Sequence, residues 1–266
     1  MLDLKVSQRI ATLTLQRAPA NAINREWTER VHQVLDQLDE RDDWTVLHIR
    51  SGLRLFSAGA DIKEMRIQFA SAEGIESLTA AVRDYQNLFA RIEALSRITL
   101  AEIGGAAMGG GFELALSCDL RVVANEALVG LPEIRIGLLA GAGGTQRLTR
   151  LCGKSTALRI LAGAEMVDGA TAVQLGMAQW NFPARELPAA AATIASCYAS
   201  QSPLASKLVK QCVTAALDPT SNAGFDLEYT ASKQLLNSAE TQGLVARFLA
   251  SQASRSKTVP AKEATA

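Results

Sequence analysis

Histidine is almost missing from this chain of 266 residues: there are two, His32 and His48. Two histidines so far apart cannot supply H-E-x-x-H or a three-histidine metal site, so no metal centre is expected. They also leave little for a Ser-His-Asp triad, and no G-x-S-x-G elbow is present. Each reads as structural. Cysteine is sparse as well, at Cys118, Cys152, Cys197 and Cys212. No pair has C-x-x-C or zinc-finger spacing, so the four are expected as reduced thiols. Excess charge of either sign is absent, with 27 basic and 27 acidic side chains. That leaves neither the basic footprint of nucleic-acid binding nor a polybasic membrane surface. No run approaches the ~20 apolar residues of a membrane span. The opening MLDLKVSQRI carries no apolar signal core and no Arg/Ser-rich presequence. A soluble, cytoplasmic protein is expected. Phosphate loops fail too. Gly141-Ala-Gly-Gly-Thr-Gln146 ends in Gln where a dinucleotide fingerprint needs Gly, and Gly153-Lys-Ser155 lacks its first glycine because position 148 is Leu.

Apolar residues nevertheless make up 48% of the chain, although aromatics are only 5%. A chain this long buries roughly three-quarters of its extended surface, enough for a core without disulfides or metals. Short strand-like runs alternate with helical ones in the first half. Leu2 to Val6 and Ile10 to Leu15 read as a hairpin. Asn24 can cap a helix carrying Trp27, Val31, Val34, Leu35 and Leu38 on one face. Thr45 to Arg50, Leu100 to Ile103 and Leu120 to Ala124 read as strands, and Ser77 to Leu95 as a long helix. This rhythm argues for α/β layers. Beyond about residue 145 no convincing strand cluster appears. Ser202-Pro203 starts a helix, whose stripe of Leu204, Ala205, Leu208, Val209, Cys212, Val213, Ala216 and Leu217 ends at Asp218-Pro219. Further helices are expected near Ala223 to Leu236 and Glu240 to Ala250, and a mobile tail from Ser251 to Ala266.

Two glycine turns and two carboxylates remain. In Phe56-Ser-Ala58-Gly59-Ala60-Asp61-Ile62-Lys63, small residues let a ligand approach the backbone. In Gly104-Gly-Ala-Ala-Met-Gly109-Gly110-Gly111-Phe-Glu113, glycines lie between a strand and a helix. The free N–H groups and positive dipole end of that helix suit developing negative charge on oxygen. With Gly110 as N-cap, Glu113 is the third helical residue, where a carboxylate can also serve merely as a cap. Glu133 follows Pro132 in an apolar loop, and either acid/base work or pairing with Arg135 or Arg147 would explain it. Buried carboxylates with raised pKa values suit acid/base chemistry. The residues alone thus offer a backbone oxyanion site near two carboxylates, and no substrate.

FSAGADIKEM, MGGGFELALSCD, LPEIRIGLLAGAGGTQRLTR and GKSTALRILAG, in that order and with glutamates 113 and 133 at this separation, resemble the enoyl-CoA hydratase (crotonase) family. The resemblance implies an α/β fold whose core repeats ββα units over residues 1–195. C-terminal helices over 196–251 would build a homotrimer or a dimer of trimers, with a flexible tail over 252–266. It implies that Ala60 and Gly110 donate backbone N–H groups to a thioester carbonyl. Glu113 and Glu133 would hold a water and exchange the α-carbon proton. Ala20, Ala22, Ala58, Asp61, Ile62 and Lys63 would touch substrate or coenzyme A, and Gly141 would line the reacting end. The expected partner is an acyl-CoA thioester, with no cofactor beyond the coenzyme A that the substrate carries.

Both glutamates together favour hydration of a 2-enoyl-CoA. A hydro-lyase for a specialised acyl group, carnitinyl-CoA-like or branched, and a Δ3,Δ2-enoyl-CoA isomerase are the alternatives within the family. A silent acyl-CoA-binding subunit is the alternative outside it. Some positions depart from the family's pattern. Arg17 to Asn24 is one residue short and lacks a basic residue after its proline. Gly104 stands for a usual Asn, Thr99 and Ala140 for usual prolines, and the ending through Lys257 is not the common basic and aromatic one.

Overall fold

The computed structural model describes residues 1–217 and 222–256, and side chains as far as Ser251. The chain falls into two compact units, Met1–Ser200 and Gln201–Ala266. In the first unit the order is β1 (Leu2–Ser7), β2 (Ile10–Leu15), α1 (Arg25–Asp39), β3 (Val46–Ser51), α2 (Ile62–Gln68), α3 (Ala72–Glu93) and β4 (Ile98–Ile103). Then come β5 (Ala107–Met108), α4 (Gly110–Leu116), β6 (Leu120–Ala124), β7 (Leu128–Gly130) and a 3-10 turn at Glu133–Ile136. The unit ends with α5 (Gly144–Ala162), β8 (Val167–Asp168), α6 (Gly169–Gln174), β9 (Trp180–Phe182) and α7 (Leu187–Ala199).

The hairpin forms as expected, with Leu2 opposite Leu15. Gln8 and Arg9, both at positive φ, make its two-residue turn. Asn24 caps α1 by accepting the Trp27 N–H at 3.0 Å, and the expected face of that helix is buried. The large sheet has the order β1-β2-β3-β4-β6-β9. All pairings after the hairpin are parallel. Parallel strands are covered on both faces, which is why β3, β4 and β6 read as nearly continuous apolar runs. Trp27, Leu13, Leu15, Leu35, Leu47, Phe56, Phe89 and Phe112 fill the core. His48 is buried within the sheet, 2.9 Å from Glu102 of the neighbouring strand, and His32 receives Arg91.

A second, smaller layer positions the site. After β2, β3, β4 and β6 the chain takes one short extended step before its helix or turn. Ile23 bridges to Ala60, and Ser57 bridges to Ala107. β5 pairs with β7, and β7 with β8. These steps form a staircase of ββα units, and the residue leaving each step begins a helix or turn. Asn24, Asp61, Gly109 and Pro132 all stand at such exits.

Two differences from expectation have local causes. β8 and β9 lie beyond residue 145, but two and three residues are too few to show a period. Helix α3 begins at Ala72, because the Ser71 side chain caps it at the Gly74 N–H. α7 belongs to the first unit, with Ala191, Ala195 and Ala199 buried, so position 195 falls inside a helix.

The second unit holds α8 (Pro203–Ala215), α9 (Ala223–Leu236) and α10 (Ala239–Ser256). Ser202 caps α8 at the Ala205 N–H. Within this unit α8 packs on α9, while Val209, Val213, Leu217, Phe225 and Tyr229 are exposed. Residues 251–256, expected as tail, continue α10. Asp218-Pro219 and the tail from 257 lie outside the described residues. Among the described residues no helix is long and apolar enough to cross a membrane. Among them, too, no cluster of His, Cys, Asp or Glu could hold a metal ion.

Candidate active site

Two segments distant in sequence are stitched side by side to make one wall. Ala58 N–H donates to Ala20 O at 2.9 Å, Ile23 N–H to Gly59 O at 2.8 Å, and Asp61 N–H to Ile23 O at 2.9 Å. Asp61 then caps α2 by accepting the Lys63 N–H at 3.1 Å. Arg17 reinforces the join with one N–H on Asp61 at 2.9 Å and another on Ala22 O at 2.9 Å. Asp61 therefore holds its own loop, and this pairing lowers its pKa against the opposing effect of burial. The main-chain N–H of Ala60 takes no part in the stitching.

The glycine turn brings a second N–H beside it. Gly109 has φ +53°, a conformation that favours glycine, and a Cβ there would stand 2.8 Å from Glu133 Oε1. Gly109, rather than Gly110, is the N-cap of α4. The Gly110 N–H consequently heads the helix and has no acceptor within it. A Cβ built on Gly110 would lie 3.7 Å from the Ala60 nitrogen, so the two amide edges are neighbours.

This cap shifts Glu113 to the fourth helical position, where its carboxylate does not cap its own helix. Instead Glu113 Oε1 accepts the Gly144 N–H of α5 at 2.8 Å. Gly144 permits that approach, since a Cβ there would come within 2.9 Å of the same oxygen. Glu113 is 3% exposed. Burial pushes its carboxyl up to about 7. The Gly144 and Ala142 amides oppose the rise, and neighbouring Glu133 adds to it. Glu133 stands in the 3-10 turn, and burial raises its pKa as well. Its Oε2 is buried and has no hydrogen-bond partner among the described residues. Neither arginine that could have neutralised Glu133 does so: Arg135 donates to Ala164 O and Arg147 pairs with Glu93.

Both carboxylates line one cavity of about 560 Å³, together with Ala58, Ala60, Ile62, Gly110 and Gly141. A second cavity of about 340 Å³ adjoins it and includes Asp61. Ile23, Ala60, Met65, Val82, Tyr85 and Leu138 belong to both walls. Ala20, Ala22 and Lys63 line neither, and the first two act through their carbonyls as loop supports. Tyr85 and Val82 of α3 were not read from the sequence as site residues, because isolated residues on a helix carry no motif, and Met108 was read only as part of the glycine turn. Burial, with Glu64, Asp84 and Asp61 nearby, pushes the Tyr85 hydroxyl up to about 12, so it remains a donor at neutral pH.

One cavity thus brings together two carboxyls with raised pKa values and the main chain of Ala60 and Gly110, an arrangement suited to acid/base chemistry. The family profile described as "Enoyl-CoA hydratase/isomerase" matches residues 5–254. The chain is 37% identical over 232 residues to the 2,3-dehydroadipyl-CoA hydratase of Escherichia coli, covering 86% of this chain and 88% of that one. It is 39% identical over 176 residues to a Bacillus subtilis protein named "Probable enoyl-CoA hydratase", covering 66% and 67% of the two chains. A crystal structure of enoyl-CoA hydratase from Bacillus anthracis superposes with a TM-score of 0.88 at 27% identity, over 94% of this chain and 96% of that one. The chain belongs to the enoyl-CoA hydratase/isomerase (crotonase) family of enzymes.

Proposed function

We propose that this enzyme adds water reversibly across the 2,3 double bond of a 2-enoyl-CoA thioester. The observation that carries the reading is the convergence on one cavity of Glu113 and Glu133, both with raised pKa values, beside the Ala60 and Gly110 amides. Water attacks the β-carbon, and negative charge develops on the thioester oxygen. The two N–H groups stabilise that oxygen. One glutamate takes the proton of the attacking water while the other delivers a proton to the α-carbon. Raised pKa values on both carboxyls, with Glu113 pushed up to about 7, suit this division of acid and base. The acyl group enters the joined apolar cavities. Coenzyme A runs along the Ala20–Ala22 and Ala58–Lys63 segments, and Gly141 faces the reacting end.

Loss of the 2-enoyl thioester absorbance on adding enzyme to crotonyl-CoA tests the reading. Turnover of that substrate is expected. Conversion of a 3-enoyl-CoA outpacing hydration would favour the isomerase instead, and binding without turnover would leave only an acyl-CoA carrier. A homotrimer or dimer of trimers belongs to the same proposal, supported by the exposed Val209, Val213 and Leu217. Light scattering should then give three or six times 28.3 kDa, and a monomer would refute it.

A further inference from the structure

Glu113 is held by a loop that is itself held from outside the cavity. The loop between the 3-10 turn and α5 leads into Gly144, whose N–H donates to Glu113 Oε1 at 2.8 Å. On the other side of the same loop, Gln86 Nε2 of α3 donates to Gly141 O at 2.6 Å. Arg147 Nη1 donates to Ala142 O at 3.0 Å, and its remaining guanidinium edge meets Glu93 Oε2 at 3.0 and 2.9 Å. Gln86 and Glu93 stand seven residues apart on α3, close to two turns, and so share one face.

A trans peptide is planar, with the carbonyl of one residue antiparallel to the N–H of the next. Fixing Gly141 O from α3 and Ala142 O from Arg147 therefore sets two successive peptide planes just ahead of Gly144, whose N–H meets Glu113. We propose that Gln86 is a positioning residue for Glu113: it holds the Gly141 carbonyl and so steadies the loop that presents the Gly144 amide to the carboxylate, with the Arg147–Glu93 pair bracing the following peptide. Gln86 touches neither carboxylate. Its effect passes through the backbone of a glycine-rich loop, which has little stiffness of its own. This inference rests on the hydratase reading only for its effect on turnover. The geometric part stands on Glu113 alone.

The test is Gln86→Met, of similar length but without a donor, beside Gln86→Ala as a second variant. Glutamate-labelled NMR follows the Glu113 titration, assigned by its loss in Glu113→Gln, while crotonyl-CoA hydration gives kcat and KM. With the Gly144 amide no longer steadied against the carboxylate, the charged form loses stabilisation. The Glu113 titration should move upward by roughly half a unit to one unit. Loss of one such hydrogen bond should lower kcat by about tenfold, with KM changed less than about twofold because binding contacts remain. The alkaline limb of the kcat profile should move upward with the titration. An unmoved Glu113 titration in folded Gln86→Met would overturn the proposal, whatever the activity. Should Gln86→Met not fold, the same null result in folded Gln86→Ala overturns it. If the unaltered protein does not hydrate crotonyl-CoA, the hydratase reading fails, while the NMR titration still decides the role of Gln86.

Discussion

Ala60 and Gly110 contribute main chain to the cavity, whereas Glu113 and Glu133 contribute side chains, and the two halves are held differently. The backbone half is fixed by stitching between residues 20–24 and 58–61 and by the start of α4. Nothing in it titrates near neutral pH. The carboxylate half depends on burial, with Glu113 anchored to Gly144 and Glu133 Oε2 unpartnered among the described residues. One half therefore answers to changes in backbone geometry and the other to pH and to single-atom changes in side chains.

The largest effect expected from the backbone half is that of Gly110→Pro, which deletes the N–H outright. kcat for crotonyl-CoA should fall about 10²–10³-fold. Thermal melting checks the fold, and a folded variant with ordinary turnover would show that Gly110 is not the donor. Gly109→Ala should come next, since its Cβ would meet Glu133 Oε1 at 2.8 Å in a left-handed conformation. Strain of roughly 1–3 kcal/mol is expected, read as a lower Tm together with reduced kcat.

The carboxylate half makes an opposite prediction about stability. The folded Glu113 carboxyl titrates at about 7, above its ordinary 4.5. Its contribution to stability is therefore complete below the unfolded value and is lost as pH rises from 4.5 through 7. Glu113→Gln removes this loss. The variant should be more stable than the unaltered protein at pH 8, by up to about 3 kcal/mol, and this gain should vanish near pH 4. Urea titrations at the two pH values measure it, and an equal difference at both would contradict the burial of a titrating Glu113. The smallest effect is expected from Arg17→Ala, which loosens the join at Asp61 and Ala22. KM should rise a few-fold, consistent with about 1 kcal/mol for a partly exposed pair, and kcat should hold.

Legibility in the sequence followed the range of the interactions. The hairpin, the Asn24 cap and the Ser202 cap were readable because each depends on residues within a few positions. The α/β alternation was readable from apolar runs. The staircase was not, since β5, β7 and β8 are two or three residues long and exist through their neighbours. Glu113 and Glu133 stood out as carboxylates in apolar surroundings, while their roles came from resemblance. The position of Glu113 within α4 was misplaced by one, because Gly109 takes the cap through a positive φ that three consecutive glycines do not single out. Gln86 gave no signal at all: its partner, Gly141 O, lies 55 residues away.

The central claim is that Glu113 and Glu133 serve one hydration reaction. The most direct measurement is the kcat of Glu113→Gln, Glu133→Gln and the double variant on crotonyl-CoA, with product affinity measured alongside. Each single substitution keeps the shape and removes acid/base capacity, so each should lower kcat by at least about a hundredfold. Affinity should change far less, and the double variant should be less than additively worse. Near-normal hydration by a folded Glu113→Gln with intact binding would contradict the account.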